Sequence, residues 1–113
     1  AADACLDVQA ERICLIGHSH VALAFVRHAG EPARGALCEP GTTADLHEAS
    51  WLLNPGSVGQ PRDGDPRAAW LLLDTEARRA TWQRTAYDIA GAQSAIRQAG
   101  LPESLAERLG YGQ

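Results

Sequence analysis

The segment ICLIGHSHVALAFVRH, residues 13–28, interrupts an apolar sequence with Gly-His-Ser-His at positions 17–20. The continuous apolar run 13–16 predicts a short strand that is buried on both faces. The run 21–26 is rich in β-branched and aromatic residues, so it predicts a second strand rather than a helix. Two imidazoles at the end of a buried strand need polar partners, because burying an unpartnered polar group is costly. The partners of these histidines therefore decide what the chain can do.

The spacing of His18 and His20 indicates a shared site. Two residues at i and i+2 of an extended backbone point to the same side, with Cα atoms about 6.5 Å apart. We expect both rings to face one pocket and to bind one metal ion, or two ions about 3.5–4 Å apart as in binuclear hydrolases. Gly17 removes a side chain and permits an unusual φ, so the backbone could turn closely around the ion. The H-x-H pattern alone is a weak motif, and a merely hydrogen-bonded pair at a strand end is the alternative.

The composition describes a small acidic chain. Its 113 residues suit one small domain or a piece of a larger one. The formal net charge of −4 argues against the phosphate backbone of a nucleic acid as a partner. The first residues lack a basic signal-peptide region, and no apolar run approaches the roughly 20 residues that span a bilayer. We expect no membrane partner, a cytoplasmic location and reduced thiols at all three cysteines, Cys5, Cys14 and Cys38.

The order of predicted elements is strands first and helices last. Residues 1–11 predict a helix end or a linker, 12–87 strands and loops, and 88–110 closing helices. No internal repeat or low-complexity tract divides residues 1–113. This order is typical of an α/β protein of the layered α+β kind rather than a doubly wound one.

Turn-forming residues divide the strand region. Residues 29–45 are crowded with Gly, Pro and Thr and predict a loop or an irregular hairpin. Residues 51–53 predict a third strand, and 68–74 with 80–87 predict a hairpin, although Arg84 interrupts the apolar side of the second strand. We expect the three tryptophans of these strands to pack in the core: Trp51, Trp70 and Trp82.

The pattern changes to a helical period at Asp88. Asp88 is a plausible N-cap, and small or apolar residues recur at helical spacing until Gly100 ends the helix. Pro102 suits the first turn of a second, shorter helix.

Two motifs together resemble a known superfamily. Gly-His-Ser-His at 17–20 and NPGSVGQPR at 54–62 resemble the calcineurin-like metallophosphoesterases, and more closely their small bacterial phosphodiesterase branch. The following hairpin and helices are similar to the closing elements of that branch. The resemblance implies part of a four-layer α/β/β/α sandwich, of which this chain supplies mainly one β-sheet and the C-terminal helices.

The resemblance also implies a reaction. His18 and His20 would each ligate one of two divalent metal ions, for which manganese is expected and iron, zinc or nickel are possible. The implied activity is metal-dependent hydrolysis of a small-molecule phosphomonoester or phosphodiester. No other catalytic residue of the family is found in this chain.

The chain lacks the other metal motifs of the family. An Asp-x-His, a Gly-Asp-x-x-Asp and a Gly-Asn-His precede Gly-His-x-His in the family, and none occurs before Gly17 here. Asp45 and His47 spell Asp-x-His after that motif and are expected in a solvated loop; Gly64 and Asp65 are expected in a turn. We therefore expect a C-terminal portion that is inactive alone and needs the missing N-terminal half or a second chain. The alternative is a non-catalytic scaffold that keeps the fold for protein contacts.

Weaker candidates lie in the second motif. Ser57 and Arg62 are candidates for substrate binding, since guanidinium and hydroxyl groups suit phosphate oxygens. The backbone N–H groups of 56–59 could also face a phosphate, and a purely structural turn is the equally weighted alternative. His28 and His47 are interpreted as surface or satisfied polar residues.

Overall fold

The computed structural model describes residues 1–113 and contains seven strands in two sheets. The elements are α1 Ala2–Val8, β1 Ile13–Leu15, β2 Ala22–Arg27, β3 Arg34–Leu37, β4 Thr43–Asp45, β5 Ser50–Pro55, β6 Ala68–Asp74, β7 Arg79–Thr85, α2 Ile89–Gln98, α3 Glu103–Glu107 and a final 3₁₀ turn Arg108–Gly110. One sheet has the order β1-β5-β2-β3 and the other β4-β7-β6. The predicted α/β class is confirmed, with the strands divided between two sheets rather than falling mainly into one.

The core lies between the two sheets. Its buried members are Ala22, Cys38, Leu46, Leu53, Ala80 and Trp82. Ala80 and Trp82 alternate with more exposed residues along β7, as the period of a strand requires. The indole Nε1 of Trp82 donates to the backbone oxygen of Asn54 at 2.9 Å, which ties β7 to β5 of the other sheet. Burial raises the pKa of the Cys38 thiol to about 11, so this cysteine is protonated at neutral pH.

The prediction for the tryptophans is right for two of the three. Trp82 is buried, and Trp51 packs half-buried against the core cluster. Trp70 is 40% exposed and donates through Nε1 to the hydroxyl of Thr85, so its predicted core position is wrong. The run AAWLLLD is apolar on both faces of the strand, so its sequence does not show which side chains face the core. In the structure Leu71 lies opposite Trp82, and the side chains next to Leu71, including that of Trp70, point outward.

Strand β1 is less buried than its sequence predicts. It pairs in parallel with β5 and with no other strand, so one of its edges is free. Leu15 is 55% exposed, and Ile13 and Cys14 are half-buried. The predicted burial on both faces is therefore wrong within this chain, because no element covers the free edge.

The hairpin predictions are confirmed. Residues 29–45 contain β3, which returns antiparallel to β2 and completes the irregular hairpin alternative. The same region then crosses to the second sheet, where β4 pairs with β7. Strands β6 and β7 form the second hairpin in full register from Asp74–Arg79 to Ala68–Thr85.

The C-terminal helices begin and end as predicted. The Asp88 carboxylate accepts from the backbone N–H of Gly91 and caps α2. Gly100 has φ +72°, and the N–H groups of Gly100 and Leu101 bond the carbonyls of Arg97 and Ile96, which is a Schellman motif. No helix of the structure is both long enough and apolar enough to cross a bilayer.

The molecule is elongated. Its radius of gyration is 16.2 Å, against about 13 Å expected for a compact chain of this length. Helices α2 and α3 pack mainly on one another, and the segment after them returns to the sandwich at Gly112. The Gly112 oxygen accepts from the N–H of Gly64, and a Cβ at Gly112 would lie 2.8 Å from the backbone nitrogen of Asp65. This contact joins the helical end to the loop after β5.

We predict that Gly112→Ala detaches this segment. Gly112 has φ +69° and no room for a methyl group, whereas Gly100 has φ +72° and open space around its Cβ position. Exchange of the Gly64 amide proton, measured by NMR, should accelerate at least about tenfold in Gly112→Ala. Gly100→Ala carries the same backbone strain without the clash and should leave this amide protected. Equal protection of the Gly64 amide in both variants would contradict the contact.

Candidate functional site

The two motifs that carry the resemblance, Gly-His-Ser-His and NPGSVGQPR, meet at one edge of the first sheet. Residues 17–20, here called the histidine loop, follow β1, and residues 54–63, here called the support loop, begin at the end of β5. Because β1 and β5 are parallel, their carboxyl ends lie at the same edge. Ligand sites of α/β sheets form at such carboxyl ends.

The backbone of the histidine loop is not extended. His18 has φ +78° and His20 has φ +60°, both in the left-handed region. The predicted i, i+2 strand geometry is therefore wrong, since the chain must turn from β1 back into the antiparallel β2 within six residues. Gly17 does not use the unusual φ that glycine permits, and a Cβ there would meet no protein atom within 4 Å. Its close approach to an ion stays a prediction. Each left-handed histidine costs roughly 1–2 kcal/mol.

The side chain of Asn54 bonds the histidine loop through two hydrogen bonds. It is 1% exposed, at the end of the central strand β5. Its Nδ2 donates to the Gly17 carbonyl at 3.3 Å and to the Ser19 hydroxyl at 2.9 Å. Its Oδ1 accepts from the N–H of Gly56 at 3.0 Å. The amide is thus fully used, as a buried polar group requires.

The support loop also fixes His20 on two sides. The ring Nδ1 lies 2.8 Å from the carbonyl oxygen of Gln60, and the N–H of Arg62 donates to the His20 carbonyl at 3.0 Å. Because a carbonyl only accepts, Nδ1 carries the proton in this contact and Nε2 keeps a free lone pair. A backbone carbonyl on the far nitrogen is the usual support of a metal-ligating histidine.

The donor set fits part of a metal site. His20 presents Nε2, and His18 is exposed beside it in the same loop. No group of three or more His, Cys, Asp or Glu side chains is close enough to hold an ion. Two neutral nitrogens suit a divalent metal but do not offset its charge. These two rings by themselves do not complete a metal centre.

Local bonds occupy much of the support loop. The Gly56 N–H is taken by Asn54, and the Ser57 hydroxyl accepts from the N–H of Gln60 at 2.9 Å. The structural turn thus accounts for these two groups. Arg62 is exposed and donates to the side chain of Gln60 at 3.2 Å. Substrate binding by Ser57 and Arg62 stays a prediction.

The remaining acid and histidine candidates lie outside the site. Asp45 and His47 are exposed and bond each other, and the hydrogen bond from His47 lowers the pKa of Asp45. Asp65 pairs with Arg67, whose hydrogen bonds lower the pKa of that carboxyl. Both aspartates are thus engaged locally. Asp45 is exposed as predicted but ends strand β4, opposite Arg79, so its predicted place in a loop is wrong. Asp65 lies in the irregular segment between β5 and β6, as the predicted turn requires.

A separate cleft of about 740 Å³ opens at the opposite end of the strands. Arg12, Arg27 and His28 are among the residues that line it. Arg27 is already paired with Asp3 and Asp7 of α1, so the cleft does not concentrate free positive charge. His28 is exposed, as predicted for a surface residue.

One supporting pair was missed by the sequence prediction. The side chain of Arg84 on β7 is 4% exposed and pairs with Asp63, which is 12% exposed, at the end of the support loop. Arg84 Nη1 also donates to the carbonyls of Asp65 and Arg67, and Asp63 accepts from the N–H of Ala22 at 3.4 Å. The sequence does indicate a buried arginine, because Arg84 interrupts the inward face of β7. Its partner Asp63 is too far away in the sequence to be predicted from the strand pattern.

We predict that Arg84→Ala is strongly destabilising. Removing one member of a buried ion pair leaves the charge of Asp63 uncompensated, which costs about 3–5 kcal/mol. Arg97→Ala breaks the pair with Glu103, which solvent screens, and should cost far less stability than Arg84→Ala. Urea unfolding of the two variants measures the difference. Equal losses would contradict the structural role of the Arg84 pair.

We also predict that glycine at position 18 is stabilising relative to alanine. The free energy of unfolding of His18→Gly should be about 1 kcal/mol higher than that of His18→Ala, because only glycine adopts positive φ without strain. Arg78, with φ +50° in the β6–β7 turn, provides the matched control, and Arg78→Gly and Arg78→Ala should differ in the same direction. No difference at position 18 would mean that the left-handed backbone is absent in solution.

Comparison with known proteins shows similarity to a curated protein and to a solved structure. No family model matches the chain. An uncharacterized protein of Methanocaldococcus jannaschii is 38% identical over 100 residues, which cover 88% of this chain and 39% of that protein. The crystal structure of a metallophosphoesterase from Sphaerobacter thermophilus matches with a TM-score of 0.85 and 39% identity, over 93% of this chain and 44% of that one. The chain thus spans about two fifths of the length of these relatives.

Proposed function

Because the chain matches a metallophosphoesterase in both sequence and fold, we propose that it supplies two histidine ligands to the metal centre of a phosphoesterase. The observation that carries the proposal is the bond between His20 Nδ1 and the Gln60 carbonyl. This bond leaves Nε2 free and fixes the ring, as a ligand requires.

The residues of the chain have distinct roles in this proposal. His18 and His20 each hold one of two divalent ions, with manganese the first candidate. Such ions activate water and neutralise charge on phosphoryl oxygens when bound. Arg62, exposed beside the histidine loop, is proposed to contact a phosphate oxygen, and Ser57 to lie near it. The proposed substrate is a small phosphomonoester or phosphodiester.

The missing carboxylates are proposed to come from the unpaired side of β1. This strand pairs with β5 alone, and Leu15 is 55% exposed. A further parallel strand beside β1 would end at the same edge as the histidine loop. Acidic residues following such a strand would then face His18 and His20. They belong in this proposal to an N-terminal half of a larger protein or to a second chain, and residues 1–113 alone are proposed to be inactive.

We predict that the product of the complete reading frame hydrolyses a chromogenic phosphodiester in the presence of Mn²⁺. His18→Ala and His20→Ala should each lower kcat/KM at least about 100-fold, since even residues that only support a ligand contribute about 10–100-fold. Chelation of the metal should abolish the activity, and excess Mn²⁺ should restore it. Residues 1–113 alone should show no turnover.

His28→Ala and His47→Ala are the matched controls, because both rings are exposed away from the histidine loop. They should keep the activity of the unmodified protein. Activity that survives the double change His18→Ala with His20→Ala would refute the ligand assignment. A complete protein with no hydrolysis and no Mn²⁺ binding would favour the alternative of a non-catalytic scaffold.

A further inference from the structure

We propose that Asn54 is a positioning residue for His18: its side-chain amide fixes the residues on either side of His18 and so sets the direction of that ring. This inference rests on the proposed function only in taking His18 as a metal ligand. The geometry itself concerns residues 17–20 and 54, which this chain contains in full.

The two Nδ2 bonds bracket His18. One reaches the carbonyl of Gly17, immediately before it, and the other reaches the hydroxyl of Ser19, immediately after it. The Ser19 hydroxyl also accepts from the N–H of Val21 at 3.4 Å, so the second bond continues toward β2. With both neighbours held, the φ of +78° at His18 is determined by its surroundings.

The amide of Asn54 is itself rigidly held. Residue 54 is paired with Leu23 in the β5–β2 register, and its backbone oxygen accepts from the indole of Trp82. Its Oδ1 accepts from Gly56, which fixes the orientation of the amide and points Nδ2 at the histidine loop. A site residue on a strand with all its bonds satisfied positions its target more accurately than one on a loop.

The chemistry of the position requires an amide. The site offers one donor, the Gly56 N–H, and two acceptors on the histidine loop. Asparagine presents one acceptor and two N–H donors from a short side chain. Aspartate has nearly the same shape and keeps the acceptor, but it has no donor for the Gly17 carbonyl. Asn54→Asp therefore removes the bond to the Gly17 carbonyl and places two acceptor oxygens against each other there, while the Ser19 hydroxyl can turn and donate to the carboxylate. The change in volume is small.

Two variants separate positioning from general stability. Asn54→Asp removes the bond to the Gly17 carbonyl at a buried position. Ser19→Ala removes the bond from Asn54, together with the longer one from the Val21 N–H, at an exposed position where the fold is not at risk. Ser94→Ala is the matched control, because Ser94 also accepts from a side-chain amide, that of Gln98, on an exposed helix. Each variant is prepared with labelled histidines for NMR.

The first measurement needs no metal. Chemical shifts and the amide–Hα coupling of His18 report its backbone angle directly. We expect the left-handed signature of His18 to weaken in Ser19→Ala and to disappear in folded Asn54→Asp, and to persist in Ser94→Ala. A left-handed His18 that survives both changes would overturn the proposal, whatever the outcome of the hydrolysis assay.

The second measurement uses Ni²⁺ alone, a paramagnetic ion that imidazole binds well. Line broadening of each histidine ring is followed during titration, with His28 as the internal reference for non-specific contact. The Ni²⁺ concentration that broadens His18 should rise about tenfold in Ser19→Ala. That for His20 should not change, since Gln60 and Arg62 hold His20 separately.

The difference between His18 and His20 in the Ni²⁺ concentration that broadens each ring distinguishes the outcomes. General loosening of the loop would move His18 and His20 together and would count against a specific role of Asn54. Broadening of His18 and His20 no stronger than that of His28 in the unmodified protein would instead count against the proposed metal site. The metal-free backbone measurement then still decides whether Asn54 positions His18.

Discussion

The hydrogen bonds between the support loop and the histidine loop are the constraint on which the rest of the site depends. Asn54 donates to Gly17 and Ser19. The carbonyl of Gln60 bonds the His20 ring, and the N–H of Arg62 bonds the His20 carbonyl. These bonds join segments that are about 40 residues apart in sequence. A turn with two left-handed histidines has no local reason to form, so its stability derives from these long-range partners.

The parallel pairing of β1 with β5 brings the loops together in the first place. Each strand delivers its following loop to the same edge, and the second sheet then fixes the support loop through the pair of Arg84 with Asp63. The same topology explains why the site is open. Strand β1 has one unpaired edge, and no group of three or more His, Cys, Asp or Glu side chains lies close enough to hold an ion. The unpaired edge and the histidine loop are thus found on the same strand.

Local pattern was sufficient for most of the strands and for the C-terminal helices. The helix boundaries at Asp88 and Gly100 and the β6–β7 hairpin follow from capping and turn chemistry, which act over a few residues. The outward face of Trp70 was not predictable, because a fully apolar strand does not state which side is inside. The buried partner of Arg84 and the backbone conformation of His18 depend on residues far away in the sequence, which the pattern of one sequence does not reveal.

The left-handed backbone at His18 and His20 bears on why these positions hold imidazoles. Glycine adopts this conformation without strain, and six of the glycines here do so, whereas each histidine adds roughly 1–2 kcal/mol of strain. A sequence selected for stability alone would place glycine at both positions. The strain is offset by the side chain of Asn54 at one histidine and by the carbonyl of Gln60 at the other. Ala49 and Arg78 share the left-handed backbone, so it is the combination with long-range supports that supports the proposed role of His18 and His20.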